Sequence, residues 1–159
     1  MNTKRVISLF AVMAVVLLGV SITPAVAQSD TNMEILREKM RADKKLLVAQ
    51  YMQLTEEEGK VFWPVFDAYQ EEKNKLGDRR IKIIETYAAN FENLSEDVAK
   101  DLVDRSLAIQ KDAVKLMESY LPKIRKAVGD KKAARFYQIE NKIDAVVAFE
   151  LAKKIPLAE

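Results

Sequence analysis

The chain contains no cysteine and no histidine in 159 residues. The first absence removes disulfides, thiolate nucleophiles and sulfur metal ligands. The second removes the commonest general base and the commonest ligand for zinc, copper and nickel. Glycine and proline are scarce, four of each, and no glycine-rich phosphate loop or EF-hand loop is present. No segment alternates polar and apolar residues for long enough to read as a strand. Carboxylates, lysines and tyrosines are the remaining candidates for chemistry, and none forms a pair that stands out from ordinary solvated helix faces. A catalytic reading therefore has little to stand on, and we expect a non-enzyme without a cofactor.

What is present begins with an address. Lys4 and Arg5 precede an apolar run from Val6 to Val20, and Thr23 to Ala27 ends in the small residues that signal peptidase reads. This predicts a secretory signal peptide over residues 1–27, cleaved after Ala27. The run is short of the roughly 20 residues a membrane span needs. The Lys-Arg pair is not a twin arginine, so export unfolded is expected. Without Lys4 and Arg5, 24 basic residues face 24 acidic ones. The basic sequence pI therefore gives no reason to expect nucleic-acid binding.

Residues 28–159 then form one domain, rich in Ala, Leu, Glu and Lys and therefore helical. With no disulfide in an exported chain, helix packing alone must hold it together. Helix-start signals punctuate it. Leu54-Thr55-Glu56-Glu57-Glu58-Gly59 carries a capping box, with Thr55 reaching Glu58 and Glu58 reaching back. Leu94-Ser95-Glu96-Asp97-Val98-Ala99 repeats the pattern, and Val128-Gly129-Asp130 repeats it more weakly.

The spacing predicts four helices, over about 32–52, 55–91, 95–128 and 130–153. Their apolar stripes run through Met33, Leu36, Met40, Leu47 and Tyr51; then Phe62, Phe66, Tyr69, Leu76, Ile83, Ile84, Tyr87 and Phe91. The third carries Val98, Leu102, Ile109, Ala113, Met117, Leu121, Ile124 and Val128, and the fourth Phe136, Ile139, Ile143, Val146, Val147 and Leu151. Pro64 and Pro122 fall inside helices and predict kinks there.

The segment Phe62-Trp63-Pro64-Val65-Phe66 is the densest apolar stretch after the leader. Phe62 and Phe66 read as core, whereas Trp63 and Val65 lie off their stripe and read as a contact surface. Tyr137, beside core residue Phe136, is a further candidate. The basic clusters Arg79-Arg80, Lys123-Arg125-Lys126 and Lys131-Lys132 could steer acidic protein segments if they share one concave face; otherwise they are solvated helix ends. Glu140 and Asp144 lie one turn apart and could hold a hard cation or pair with lysines, the second being the commoner use of such a pair.

A leader followed by an all-helical chain with repeated Leu-Thr/Ser-x-x helix starts resembles the Spy/CpxP family of periplasmic proteins and its LTxxQ motif. The residues that carry it are Leu54-Thr55-Glu56-Glu57-Glu58 and Leu94-Ser95-Glu96-Asp97-Val98, with Glu58 and Val98 standing where the family has Gln. The resemblance implies a cradle-like helical hairpin of long bent helices, a homodimer, and an ATP-independent chaperone or envelope-stress modulator. The family's metal-binding branch uses His and Cys, which this chain lacks.

The expectation is therefore an all-α periplasmic protein that binds unfolded or partner proteins, with no membrane insertion after cleavage. The alternatives are a dedicated partner or inhibitor of one membrane sensor, and a carboxylate-based metal binder.

Overall fold

The computed structural model describes residues 42–158, and the expectations placed on the leader and on Met33, Leu36 and Met40 fall outside them. From Lys44 onward the chain belongs to one compact unit, Lys44–Glu159. Every regular element among the described residues is helical. They are α1, covering residues 42–52; α2, Glu56–Asn90; a 3-10 turn, Phe91–Asn93; and α3, Glu96–Lys154.

The helix starts lie where capping chemistry puts them. The Glu58 amide donates to Thr55 Oγ1 at 3.3 Å, and the Thr55 amide donates to Glu58 Oε2 at 2.8 Å, closing the capping box. Glu56, Glu57 and Glu58 lie in the first turn of α2, where the helix dipole favours negative charge. Ser95 caps α3 by accepting from the Val98 amide.

Helix number and continuity differ from expectation. Among the described residues there are three α-helices instead of four, because the expected third and fourth are joined as one element, α3, across a non-helical Gly129. Nor do the prolines interrupt anything: α2 runs on through Pro64 and α3 through Pro122. Each proline, exposed on its helix, forgoes one backbone hydrogen bond, and the helix carries on past it.

The interruption sits at Gly129, with φ 75° and ψ 168°, a region essentially reserved for glycine. Residue pairs show what this break accomplishes. Arg79 meets Asp112 and Tyr69 meets Tyr120, so the first arm of α3 runs antiparallel to α2. Phe66 meets Phe136, Lys73 meets Asp144 and Tyr87 meets Pro156, so the second arm runs parallel to it. One glycine thus turns the chain back on itself with no loop.

Replacing Gly129 by alanine is expected to lower stability by about 1–3 kcal/mol. A Cβ there would meet nothing within 4 Å, so the cost is purely conformational. The same substitution at Gly77, inside α2 and equally uncrowded, should instead stabilise by about 0.5–1 kcal/mol through helix propensity. Urea midpoints of the two variants, with opposite signs, check the contrast.

The core gathers at the end where α1 stops, α2 starts and α3 reverses. Val48, Met52, Phe62, Phe66, Tyr69, Ile124, Val128, Ala133, Phe136 and Ile139 form one cluster. Aromatic rings meet edge to face within it: Phe136 lies 5.8 Å from Phe62 and 5.7 Å from Tyr69 between centroids.

In α2 the inward stripe is the expected one for Phe62, Phe66 and Tyr69. In α1 it is displaced by one residue: Val48 and Met52 are buried, while Leu47 and Tyr51 point outward. In the second arm of α3, Val146 and Val147 are likewise exposed.

Candidate functional site

Three features compete for functional attention: a buried charge cluster, two shallow concavities, and apolar side chains left in solvent.

The buried cluster is built on Glu140, 1% exposed. It lies on the inward face of α3, one residue past core residue Ile139. Its carboxylate accepts from Lys73 Nζ at 2.6 Å, Lys44 Nζ at 3.0 Å, and Tyr69 Oη and Gln70 Nε2 at 3.3 Å each. Lys73 also donates to both oxygens of Asp144 at 2.8 Å. The cluster therefore joins α1, α2 and α3.

Burial alone would push the Glu140 carboxyl up. The charges of Lys44 and then Lys73, with their hydrogen bonds, bring it below the ordinary value instead. Burial pushes Lys44 down, with the neighbouring Lys73 charge adding to it against the pull of Glu140. Lys73 is also penalised by burial, but Glu140 and Asp144 outweigh this and raise it. Tyr69 is raised, chiefly by burial and then by the Glu140 charge.

A carboxylate held ionised with four donors on it is a poor proton acceptor. It is an electrostatic clasp between helices. Of the two uses open to Glu140 and Asp144, the structure shows pairing with lysines. Among the described residues no group of three or more His, Cys, Asp or Glu is placed to hold a metal ion.

The surface residues singled out from sequence are dispersed. Trp63 and Val65 are half-buried and pack against the core, contrary to their reading as a free contact surface. For Trp63 the reason is α1, which lies against that side of α2. Lys45 from α1 sits 5.3 Å above the Trp63 ring and bonds Asp67 at 2.7 Å. One edge of Trp63 still lines a groove of about 620 Å³, with Ala49, Leu54, Gly59, Lys60 and Pro64.

Tyr137 and Arg125 do come together. With Leu121, Asp130 and Ala134 they line a shallow hollow of about 520 Å³ beside the Gly129 reversal. Arg125 Nε is held there by Asp130 at 3.2 Å. Lys123 lies over the Tyr120 ring at 4.2 Å. Arg79 pairs with Asp112 at 2.7 Å, which places it roughly 20 Å of helix away from Arg125. Arg80 is exposed beside it. The basic clusters thus do not form one steering face.

The most exposed apolar side chains are ones that sequence periodicity assigned elsewhere or left unassigned. They include Leu46 and Tyr51 on α1, Val61 on α2, Val103 and Val114 on the first arm of α3, and Phe149 on the second. No helix among the described residues is long and apolar enough to cross a membrane.

Fold and surface together define a class, an all-helical bundle with a buried charge clasp and apolar side chains on its outer faces. No family model, curated protein or solved structure matches the chain, so no particular family is assigned by likeness.

Proposed function

We propose that this is a non-catalytic periplasmic protein that binds other proteins, acting as an ATP-independent holding chaperone or envelope-stress modulator. The observation that carries this reading is the apolar surface. Leu46, Tyr51, Val61, Val146 and Phe149 are each more than half exposed, on three different helices around a core that is already satisfied. Such side chains lie outside the core and are available to extended apolar segments of a client. The export signal in residues 1–27 and the Leu-Thr/Ser-x-x helix starts of the Spy/CpxP resemblance point the same way.

The test is direct. The purified mature protein, mixed at stoichiometric amounts with an aggregating client and no ATP, is expected to suppress light scattering. Paired substitutions Leu46→Ser and Tyr51→Ser, on exposed positions, should weaken suppression without altering the helical circular dichroism. Absence of suppression by the unmodified protein would overturn the chaperone form. A single stoichiometric partner recovered by pull-down, without holding activity, would instead identify a dedicated modulator.

A further inference from the structure

α1 is seated by one stripe, Lys44, Val48 and Met52, spaced four apart so that all three share a helix face. Val48 and Met52 are fully buried, and Lys44 reaches Glu140. The ring cluster beneath, Phe62, Phe66, Tyr69 and Phe136, is joined between α2 and α3 without any residue of α1. The polar contacts of α1 strand nothing if it leaves. Glu140 keeps Lys73, Tyr69 and Gln70, all from α2, and Asp67, the partner of Lys45, is exposed. Lys44 itself gains, because burial in the seated state pushes its ammonium below the ordinary range. The joint to α2 contains Gln53 at φ 51°, left-handed backbone that a non-glycine residue adopts at a cost. Lys132 donates to the Gln53 carbonyl at 3.1 Å and Arg135 to its side-chain oxygen at 3.3 Å, which pins the joint as a pivot. The seat is also incompletely filled. α1 contributes only Ala49 to the lining of the groove of about 620 Å³ that it shares with Gly59, Lys60, Trp63 and Pro64 of α2.

We infer that α1 is a displaceable strap over a docking face, and that this face takes a basic amphipathic helix of a client protein in place of α1. The seated strap shows the chemistry of that occupant. It presents a lysine to Glu140 and apolar side chains four and eight residues further on, with a second lysine beside the first for Asp67. A client helix with this pattern meets the same carboxylates and the same ring cluster. The assignment rests on the protein-binding reading above and names what the client presents.

The probe is a labelled alanine-based synthetic peptide carrying Lys-x-x-x-Val-x-x-x-Met, about 20 residues long so that it is helical by itself. Lys45→Cys with Asp67→Cys in the full mature chain removes an exposed ion pair and the lysine over Trp63, in a protein with no other cysteine. Kept reduced, this variant should bind the probe roughly 3- to 10-fold tighter than the unmodified protein, because a larger open fraction raises the apparent affinity in proportion. A short bis-maleimide joining the two thiols fastens the strap and should abolish binding. In the unmodified protein, the bound probe should strip deuterium-exchange protection from residues 45–52 while protection near Phe136 persists. A probe with leucine at the position matching Ala49 should bind severalfold tighter, and one with glutamate for lysine severalfold weaker. The inference is overturned if fastened and reduced forms bind the probe alike, if the reduced form does not bind it, or if α1 keeps its protection in the complex. Bis-maleimide links between copies instead of within one would assign the face to the strap of a second copy and overturn the client assignment. No aggregating client enters these measurements, so their failure leaves the holding reading standing. Failed holding with successful displacement removes holding alone.

Discussion

Replacing Glu140 by alanine is expected to destabilise the protein by about 3 kcal/mol, near the lower end for breaking a buried ion pair by removing one partner. The carboxylate is fully buried, and the two lysine side chains that hold it are largely so, at 18% exposed for Lys44 and 21% for Lys73. Without Glu140, Lys73 keeps Asp144, but Lys44 is left in an apolar setting that already disfavours its charge. Glu140→Gln keeps the shape and some of the hydrogen bonds, so its cost should be smaller, about 1–2 kcal/mol. Urea unfolding at neutral pH, with unchanged m-values, measures both.

The pH dependence has a definite sign. The folded-state carboxyl lies below its ordinary value of 4.5. The stabilisation is therefore complete above that value and is lost as pH falls through the lower, folded-state value. Glu140→Gln should flatten this acid limb by up to one proton. On the alkaline side the two lysines oppose each other. Lys73, raised, loses stabilisation as pH climbs past 10.5, while Lys44, lowered, regains it on the approach to 10.5. Stability should therefore rise on the approach to 10.5 and fall beyond it.

Truncating Phe136 to alanine should cost about 3–5 kcal/mol, the range for a large ring removed from a packed core. Phe136 is fully buried, and its ring meets three others edge to face: Phe62, Phe66 and Tyr69. It lies two turns past Gly129 and is the side chain that seats the second arm of α3 on α2. Neighbouring helices converge on it from two directions, so the void can collapse only partly. A loss of this size is a large fraction of the roughly 5–15 kcal/mol that holds an ordinary domain together. Phe136→Leu, which refills most of the space, should cost roughly half as much. Thermal unfolding by circular dichroism would report the alanine variant as a fall of roughly 10 °C or more.

Local chemistry was legible in the sequence, and long-range chemistry was not. Thr55 with Glu58, and Ser95 ahead of Val98, announce helix starts because each cap closes within three residues. Gly129 was readable as a stop. That it reverses the chain in one residue follows only from which partners the two arms find on α2.

The α1 stripe shows the limit of periodicity. Residues 46, 47, 48, 51 and 52 are all apolar, so two stripes compete, and only the position of α2 decides that Val48 and Met52 go inward. Trp63 is half-buried for a related reason, since the sequence announces the preceding helix but not that it lies against this side of α2. Glu140 looked like one of many surface carboxylates because its lysines lie 67 and 96 residues away. At the prolines the helices do not end: the lost backbone bond is a local penalty, and α2 and α3 run on past it.

Because the core cluster lies wholly at the reversal end, resistance to local opening should be graded along the rods. Amides near Phe66, Ile124 and Phe136 should exchange with solvent deuterium only on global unfolding. Those near Ile84, Val103 and Val147, where few side chains are buried, should exchange through partial openings that leave the clustered end intact. The molecule is then two materials in one chain, a rigid grip at one end and a pliable set of helix tips at the other.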